Sequence, residues 1–198
     1  SENAAPPLRK SSPFHAYCKT VEQQLHNRKT IEQGNHVCIV NDGYDALAVR
    51  VHLIRAATKS IRIQTFILAD DECARLIMTE LIEAARRGVH VQLLADHFMS
   101  ARDEKWVATL STASPNLELR YYRPPAERIS PSKAREFLNG LLLSRAANQR
   151  MHNKVMIIDG CVALLGGRNI DNHYYNHSLT YNFIDRDALV MGPVVPGI

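Results

Sequence analysis

No apolar run in this sequence approaches the roughly 20 residues that a bilayer-spanning helix needs, and the opening stretch, SENAAPPLRKSSP, has no apolar core of the kind that marks a secretory signal. The chain itself therefore reads as soluble. Cys-x-x-Cys spacing is absent as well. Cys18, Cys38, Cys73 and Cys161 are scattered, and Cys38 and Cys161 fall in strand-like apolar runs where a thiol acts as a small apolar residue, which predicts buried thiols and no disulfide framework. There is no Gly-rich loop ending in Lys-Ser/Thr, which removes the phosphate-cradling nucleotide class, and no Gly-x-Ser-x-Gly elbow, which removes that serine hydrolase class. His173 and His177 are four apart, but Tyr174 stands where the zinc-protease helix has its Glu, and no third ligand is evident. A metal site is not expected.

What the chain does have is an ordinary globular balance, 45% hydrophobic and 22% charged residues, so disordered and fibrous classes are excluded. Its 198 residues suit one substantial domain, read as 14–198 behind a polar, proline-containing flexible lead over 1–13. The net charge of +4 is unevenly placed. Arg120, Arg123, Arg128, Lys133, Arg135, Arg145, Arg150 and Lys154 face only Glu127 and Glu136 over that stretch, so its basic excess is larger than that of the whole chain. Such a segment favours anionic partners, lipid phosphate or nucleic acid backbone, unless it is simply a solvated basic face.

Periodicity predicts a weak helix over 15–33, a strand over 36–40, a turn at 41–43 and an amphipathic helix over 44–58 with Leu47, Val51 and Ile54 on one face. SIRIQTFILA, 60–69, alternates and then turns fully apolar, as a central strand does. Asp70 and Asp71 open a helix to Arg87 that Gly88 stops, with strands over 89–96 and 117–122 following. Helices are predicted over 101–110 and 131–149. The latter carries Phe137-Leu138 and Leu141-Leu142-Leu143 among basic residues, a pattern that fits a core-facing helix or contact with a membrane surface. Strand, helix, strand alternation implies an α/β fold with a mixed, largely parallel sheet flanked by helices on both faces.

The most informative stretch is MHNKVMIIDGCVALLGGRNID, 151–171. His152 and Lys154, two apart, share one face of an extended strand. The apolar run 155–158, the Asp159-Gly160 turn and a second apolar run 161–165 make a hairpin that ends at Gly166-Gly167. An imidazole and an ammonium thus stand together at the mouth of a hairpin.

His152, Lys154, Asp159, Gly166, Gly167 and Asn169 stand in the order and spacing of the phospholipase D superfamily signature, which the chain resembles in its bacterial cardiolipin synthase branch. The resemblance implies a covalent phosphohistidine on His152, phosphate held by Lys154, Asn169 and backbone amides near Gly167, and no metal or cofactor. It implies an acidic residue on a later strand that orients the histidine: Asp185 fits best, with Asp187 as runner-up. Asp159 matches the catalytic signature, although bracing of the hairpin turn is the role its position favours. Many nuclease members have Ser or Thr where this chain has Gly167, which directs the resemblance toward phospholipid substrates and a bacterial inner membrane surface. A final strand over 185–191 completes the domain.

The family mechanism needs two such motifs, one histidine as nucleophile and one as general acid. No other histidine in the chain is followed two residues later by Lys. The partner is then a second repeat, this chain being the first of two, or another copy across a two-fold axis. Three readings follow: phosphodiester transfer or hydrolysis on phospholipids, a homodimeric single-motif nuclease, and a non-catalytic anion-binding half.

Overall fold

In the computed structural model the described residues are 34–97, 99–100, 112–122 and 150–198. The expected lead 1–13, the helices expected over 15–33, 101–110 and 131–149, and most of the basic segment lie outside them. Two of its basic residues that are described carry counter-ions: Arg120 pairs with Glu118, and Arg150 with Asp96 at 3.3 Å.

Seven strands form one sheet: β1 (His36–Val40), β2 (Ser60–Thr65), β3 (His90–Asp96), β4 (Leu117–Tyr122), β5 (Val155–Ile158), β6 (Val162–Gly166) and β7 (Asp187–Met191), in the order β1-β7-β6-β5-β2-β3-β4. Helix α1 (Gly43–Ala56) joins β1 to β2, and α2 (Glu72–Arg86) joins β2 to β3. The α/β class and mixed sheet are as the sequence led us to expect. Parallel pairing, however, is confined to β2-β3 and β3-β4, and the other four pairings are antiparallel. The expectation of a largely parallel sheet is corrected for a simple reason: a helical crossover produces a parallel neighbour, whereas the short β5-β6 connection can only fold the chain back on itself.

Local chemistry accounts for the element ends. Asp42 caps α1 by accepting from the amides of Tyr44 and Asp45, so the expected 41–43 turn is a helix entry. Asp71 caps α2 by accepting from Ala74. Gly88, at φ 90°, supplies the left-handed residue that stops α2. Along β2, Ile61, Ile63 and Thr65 are buried while Arg62 and Gln64 are exposed. The strand therefore alternates to its end and is shorter than the expected 60–69. Thr65 bonds the carbonyl of Ile67 through its hydroxyl, and Leu68 keeps only an isolated bridge to Ile170.

The core lies between one sheet face and the two helices, where Ile54, Ile77, Leu81, Ile61, Val91, Leu93, Ile158 and Leu164 are essentially inaccessible. The cysteines depart from expectation. Cys38 is exposed on edge strand β1, and Cys161 is disulfide-bonded. Cys73 is a buried free thiol, its pKa pushed up to about 12, first by burial and then by neighbouring carboxylates.

Candidate active site

Lys154 immediately precedes β5, and the antiparallel register of β5 on β2 continues to bring it opposite Thr65. Met156 and Ile158 point into the core, so period two assigns Lys154 and His152 to that same face. Asn153 projects to the other side and donates to Gln64 Oε1 at 2.9 Å. The pairing of Val155 with Leu165 then sets the end of β6 beside Lys154, whose carbonyl accepts from the Gly166 amide at 3.2 Å. Sheet pairing therefore joins the two halves of the signature.

His152 is exposed, its ring packed edge-on against Phe66 with centroids 4.8 Å apart. The Lys154 ammonium lies 5.3 Å from the centre of the same Phe66 ring and donates to the His152 carbonyl at 3.0 Å. Burial holds the Lys154 pKa below the ordinary lysine range, and the negative charge of Asp185 opposes that shift. Phe66 thus supports both signature side chains. Sequence reading had absorbed it into an apolar strand, and only its position beyond the end of β2, beside His-x-Lys, distinguishes it.

The remaining signature residues divide. Asp159, at the far end of β5 from Lys154, accepts from the amides of Thr58, Lys59 and Ser60 and from the Thr58 hydroxyl, all within 2.8–2.9 Å. Its carboxylate braces the α1-β2 turn against the hairpin, the role that its position in the sequence favours. Asn169 is buried and its Oδ1 accepts from the Ile67 amide at 3.1 Å. The Gly167 amide donates to the Arg186 carbonyl at 3.2 Å. Of the three groups that the resemblance gives to phosphate, the Lys154 ammonium is the charged one.

Asp185 and Asp187 also divide, because the strand begins only at Asp187. Asp187 is buried, its Oδ2 accepting from Arg50 Nη2 at 3.0 Å and Arg168 Nη1 at 3.3 Å. Its Oδ1 is buried with no hydrogen-bond partner among the described residues. Asp185 is half-buried and lies directly on Gly167, but no hydrogen bond joins it to His152. Arg168, inside the signature, also donates to the carbonyls of Val40, Asn41, Tyr174 and Asp185. It stitches the glycine pair to β1 and to the approach of β7, a role for which the sequence carries no signal beyond its place between Gly167 and Asn169. The His173 amide donates to Asp171 Oδ1 at 2.8 Å and its Nδ1 lies 2.6 Å from the same oxygen, and among the described residues no group of three or more His, Cys, Asp or Glu could hold a metal.

The two glycines are close-packed for different reasons, and this yields a prediction. A Cβ on Gly166 would stand 2.4 Å from the Arg186 carbonyl oxygen and 2.7 Å from the Asp187 Cα, both backbone atoms of the next strand. Gly166→Ala is expected to cost about 1–3 kcal/mol in a denaturant titration. On Gly167 the Cβ would meet the Asp185 carboxylate at 2.0–2.3 Å, the end of a side chain that can swing away. Gly167→Ala should therefore keep more stability but lose the Asp185 charge near Lys154, lowering the Lys154 pKa in an NMR titration, as Asp185→Asn should also do. An unchanged Lys154 titration in both variants would show that Asp185 does not govern that charge.

Residues 51–194 match the family model described as cardiolipin synthase, phospholipase D-like domain. Cardiolipin synthase C of Escherichia coli strain K12 is 34% identical over 154 residues, covering 78% of this chain and 31% of that protein. Cardiolipin synthase B of Salmonella typhimurium is 30% identical over 167 residues, 84% of this chain and 37% of that protein. The chain spans about a third of the length of the curated relatives it matches. Among solved structures, the phospholipase D family member Nuc from Salmonella typhimurium aligns with a TM-score of 0.56 at 18% identity, covering 83% of this chain and 88% of Nuc. Phosphatidylserine synthase from Haemophilus influenzae aligns with a TM-score of 0.58 at 18% identity, over 91% of this chain and 38% of that one. These two share the fold. With most of its length matched by the family model, the chain belongs to the family of cardiolipin synthase, phospholipase D-like domains.

Proposed function

We propose that this chain supplies one half of a phosphodiester-transfer site for phospholipids. The observation that carries the reading is the pairing of an exposed imidazole with a partly desolvated ammonium on one support, Phe66, at the mouth of the β5-β6 hairpin. A neutral nitrogen of His152 attacks phosphorus and forms the N–P bond. The bond from phosphorus to the departing alcohol oxygen breaks with its electron pair, and Lys154 stabilises the charge on the phosphoryl oxygens. A second histidine, from another phospholipase D-like half, gives its proton to the leaving alkoxide and later takes one from the incoming alcohol or water. Asp185 would orient His152 once the imidazole turns off Phe66.

Sequence identity to proteins named cardiolipin synthase supports phospholipid substrates over nucleic acid, since likeness to Nuc is one of fold. The test is adduct trapping. Full-length protein incubated with anionic phospholipid and quenched at alkaline pH should carry a phosphatidyl or phosphoryl group on the peptide containing His152, as read by mass spectrometry. Turnover of phospholipid without any adduct on that peptide would overturn the reading.

A further inference from the structure

The β6-β7 connection carries a feature that the phosphodiester chemistry does not use. From His177 to Ile184, HSLTYNFI, it has no Asp, Glu, Lys or Arg. Leu179 and Ile184 are as exposed as in an isolated extended peptide, at 103% and 102%, and Tyr181 and Phe183 are exposed at 57% and 45%. No neighbour shields either aliphatic side chain.

The loop is built. The Ser178 amide donates to Asn182 Oδ1 at 3.1 Å, Asn182 Nδ2 donates back to the Ser178 carbonyl at 3.0 Å, and the Thr180 amide donates to the Ser178 hydroxyl at 3.3 Å. Phe183 donates its amide to the His173 carbonyl at 2.8 Å. Tyr181 lies on the His173 ring with centroids 4.4 Å apart, and Phe183 on that of Tyr174 at 4.8 Å. The aromatic rings thus anchor the loop while the two aliphatic side chains are left in water.

Its root is at the site. Ile184 is followed by Asp185, which lies on Gly167 and whose carbonyl is held by Arg168. Next comes Arg186, exposed, with a guanidinium that makes no hydrogen bond or ion pair among the described residues. Fully exposed aliphatic side chains and aromatic rings on one uncharged loop, followed by an exposed cation, are the combination that suits an anionic membrane interface.

We infer that the loop from Ser178 to Arg186 seats the domain on an anionic phospholipid surface, with Leu179 and Ile184 entering the acyl boundary and Arg186 at the headgroup phosphates. This deepens the phospholipid reading above and names the surface on which that site would work. A protein partner is the less suited occupant, because a stable interface buries about 800 Å² on each side, and an eight-residue loop of exposed side chains is a small fraction of such a face.

The test is co-sedimentation of this chain with vesicles of phosphatidylglycerol and phosphatidylcholine. Binding is expected to anionic vesicles and to fall by about a hundredfold or more in Leu179→Ser/Ile184→Ser, the scale of losing two inserted aliphatic side chains. Those residues touch nothing, so thermal unfolding of the variant should match the parent. A Tyr181→Trp variant should gain fluorescence that brominated acyl chains quench. His152→Ala should bind vesicles like the parent, so failure of the chemistry and failure of this surface are separable. Equal binding of the double-serine variant, or a dimer by light scattering that the same substitutions dissociate, would overturn the inference, the latter by assigning the loop to a second copy.

Discussion

Asp187→Ala is expected to destabilise the domain by about 3–5 kcal/mol, because it removes the only carboxylate from a buried cluster of two guanidiniums. Arg50, Arg168 and Asp187 are each less than 10% exposed, and both arginines donate to the same Asp187 oxygen. The loss is unevenly shared. Arg168 would keep four backbone carbonyls, those of Val40, Asn41, Tyr174 and Asp185, as partial charges around its guanidinium. Arg50 would keep one, the Ala46 carbonyl at 3.0 Å, and the Tyr175 ring 5.3 Å from its Cζ. A cation left with one carbonyl and one ring in the interior is the costly species.

Against a typical total of about 5–15 kcal/mol, such a loss should lower the melting temperature by about 6–20 °C for a domain of this size. Asp187→Asn, which keeps an acceptor oxygen but no charge, should lie between parent and Ala variant. A change below about 1 kcal/mol in Asp187→Ala would mean that the arginines find water or other acceptors, and that the cluster is not what binds β7 to α1.

The same cluster shows where sequence reading stops. Strands over 36–40 and 117–122 were legible to the residue, since strand patterns need only local composition and turn residues. The strand expected to carry His152 and Lys154 begins only at Val155, and the two residues stand in the chain that leads into it. Partners far apart in sequence were not legible. Nothing local in Arg50 says that it meets Asp187, 137 residues on, and Asp187 read as an alternative orienting residue because it shares period-two parity with Asp185. The strand start at Asp187 sets them apart: one carboxylate is buried under the sheet edge and the other stays beside Gly167.

Apolar runs misled in a related way. Phe66 extends a strand-like series in sequence, yet the chain leaves the sheet after Thr65 and delivers the ring to the site. The long apolar series obscured that exit because Phe, Ile and Leu suit a core strand and a site support equally well. Cys38 failed differently. Its neighbours His36, Val37 and Ile39 alternate as a strand, but edge position leaves the thiol exposed, and edge position is a property of the sheet order.

Removal of the proposed nucleophile has the largest expected effect on activity. His152→Ala should lower phospholipid turnover by the full-length protein by about 10⁴-fold or more, the scale seen when the attacking group of a covalent mechanism is lost. The fall should appear in kcat. Among the described residues the exposed His152 ring packs on Phe66 and its carbonyl accepts from Lys154, so its truncation leaves the sheet and the Lys154 ammonium in place and should leave substrate binding and thermal stability close to the parent's. Lys154→Ala should cost less, about 10²–10³-fold, because electrostatic support is removed while the new bond can still form. The order of the two effects is the discriminating result. If Lys154→Ala is the more damaging, the ammonium carries the chemistry and His152 serves as a proton-transfer group for a nucleophile elsewhere. If His152→Ala retains turnover within tenfold of the parent, covalent attack by this imidazole is excluded, and the shared support on Phe66 is that of an anion-binding half.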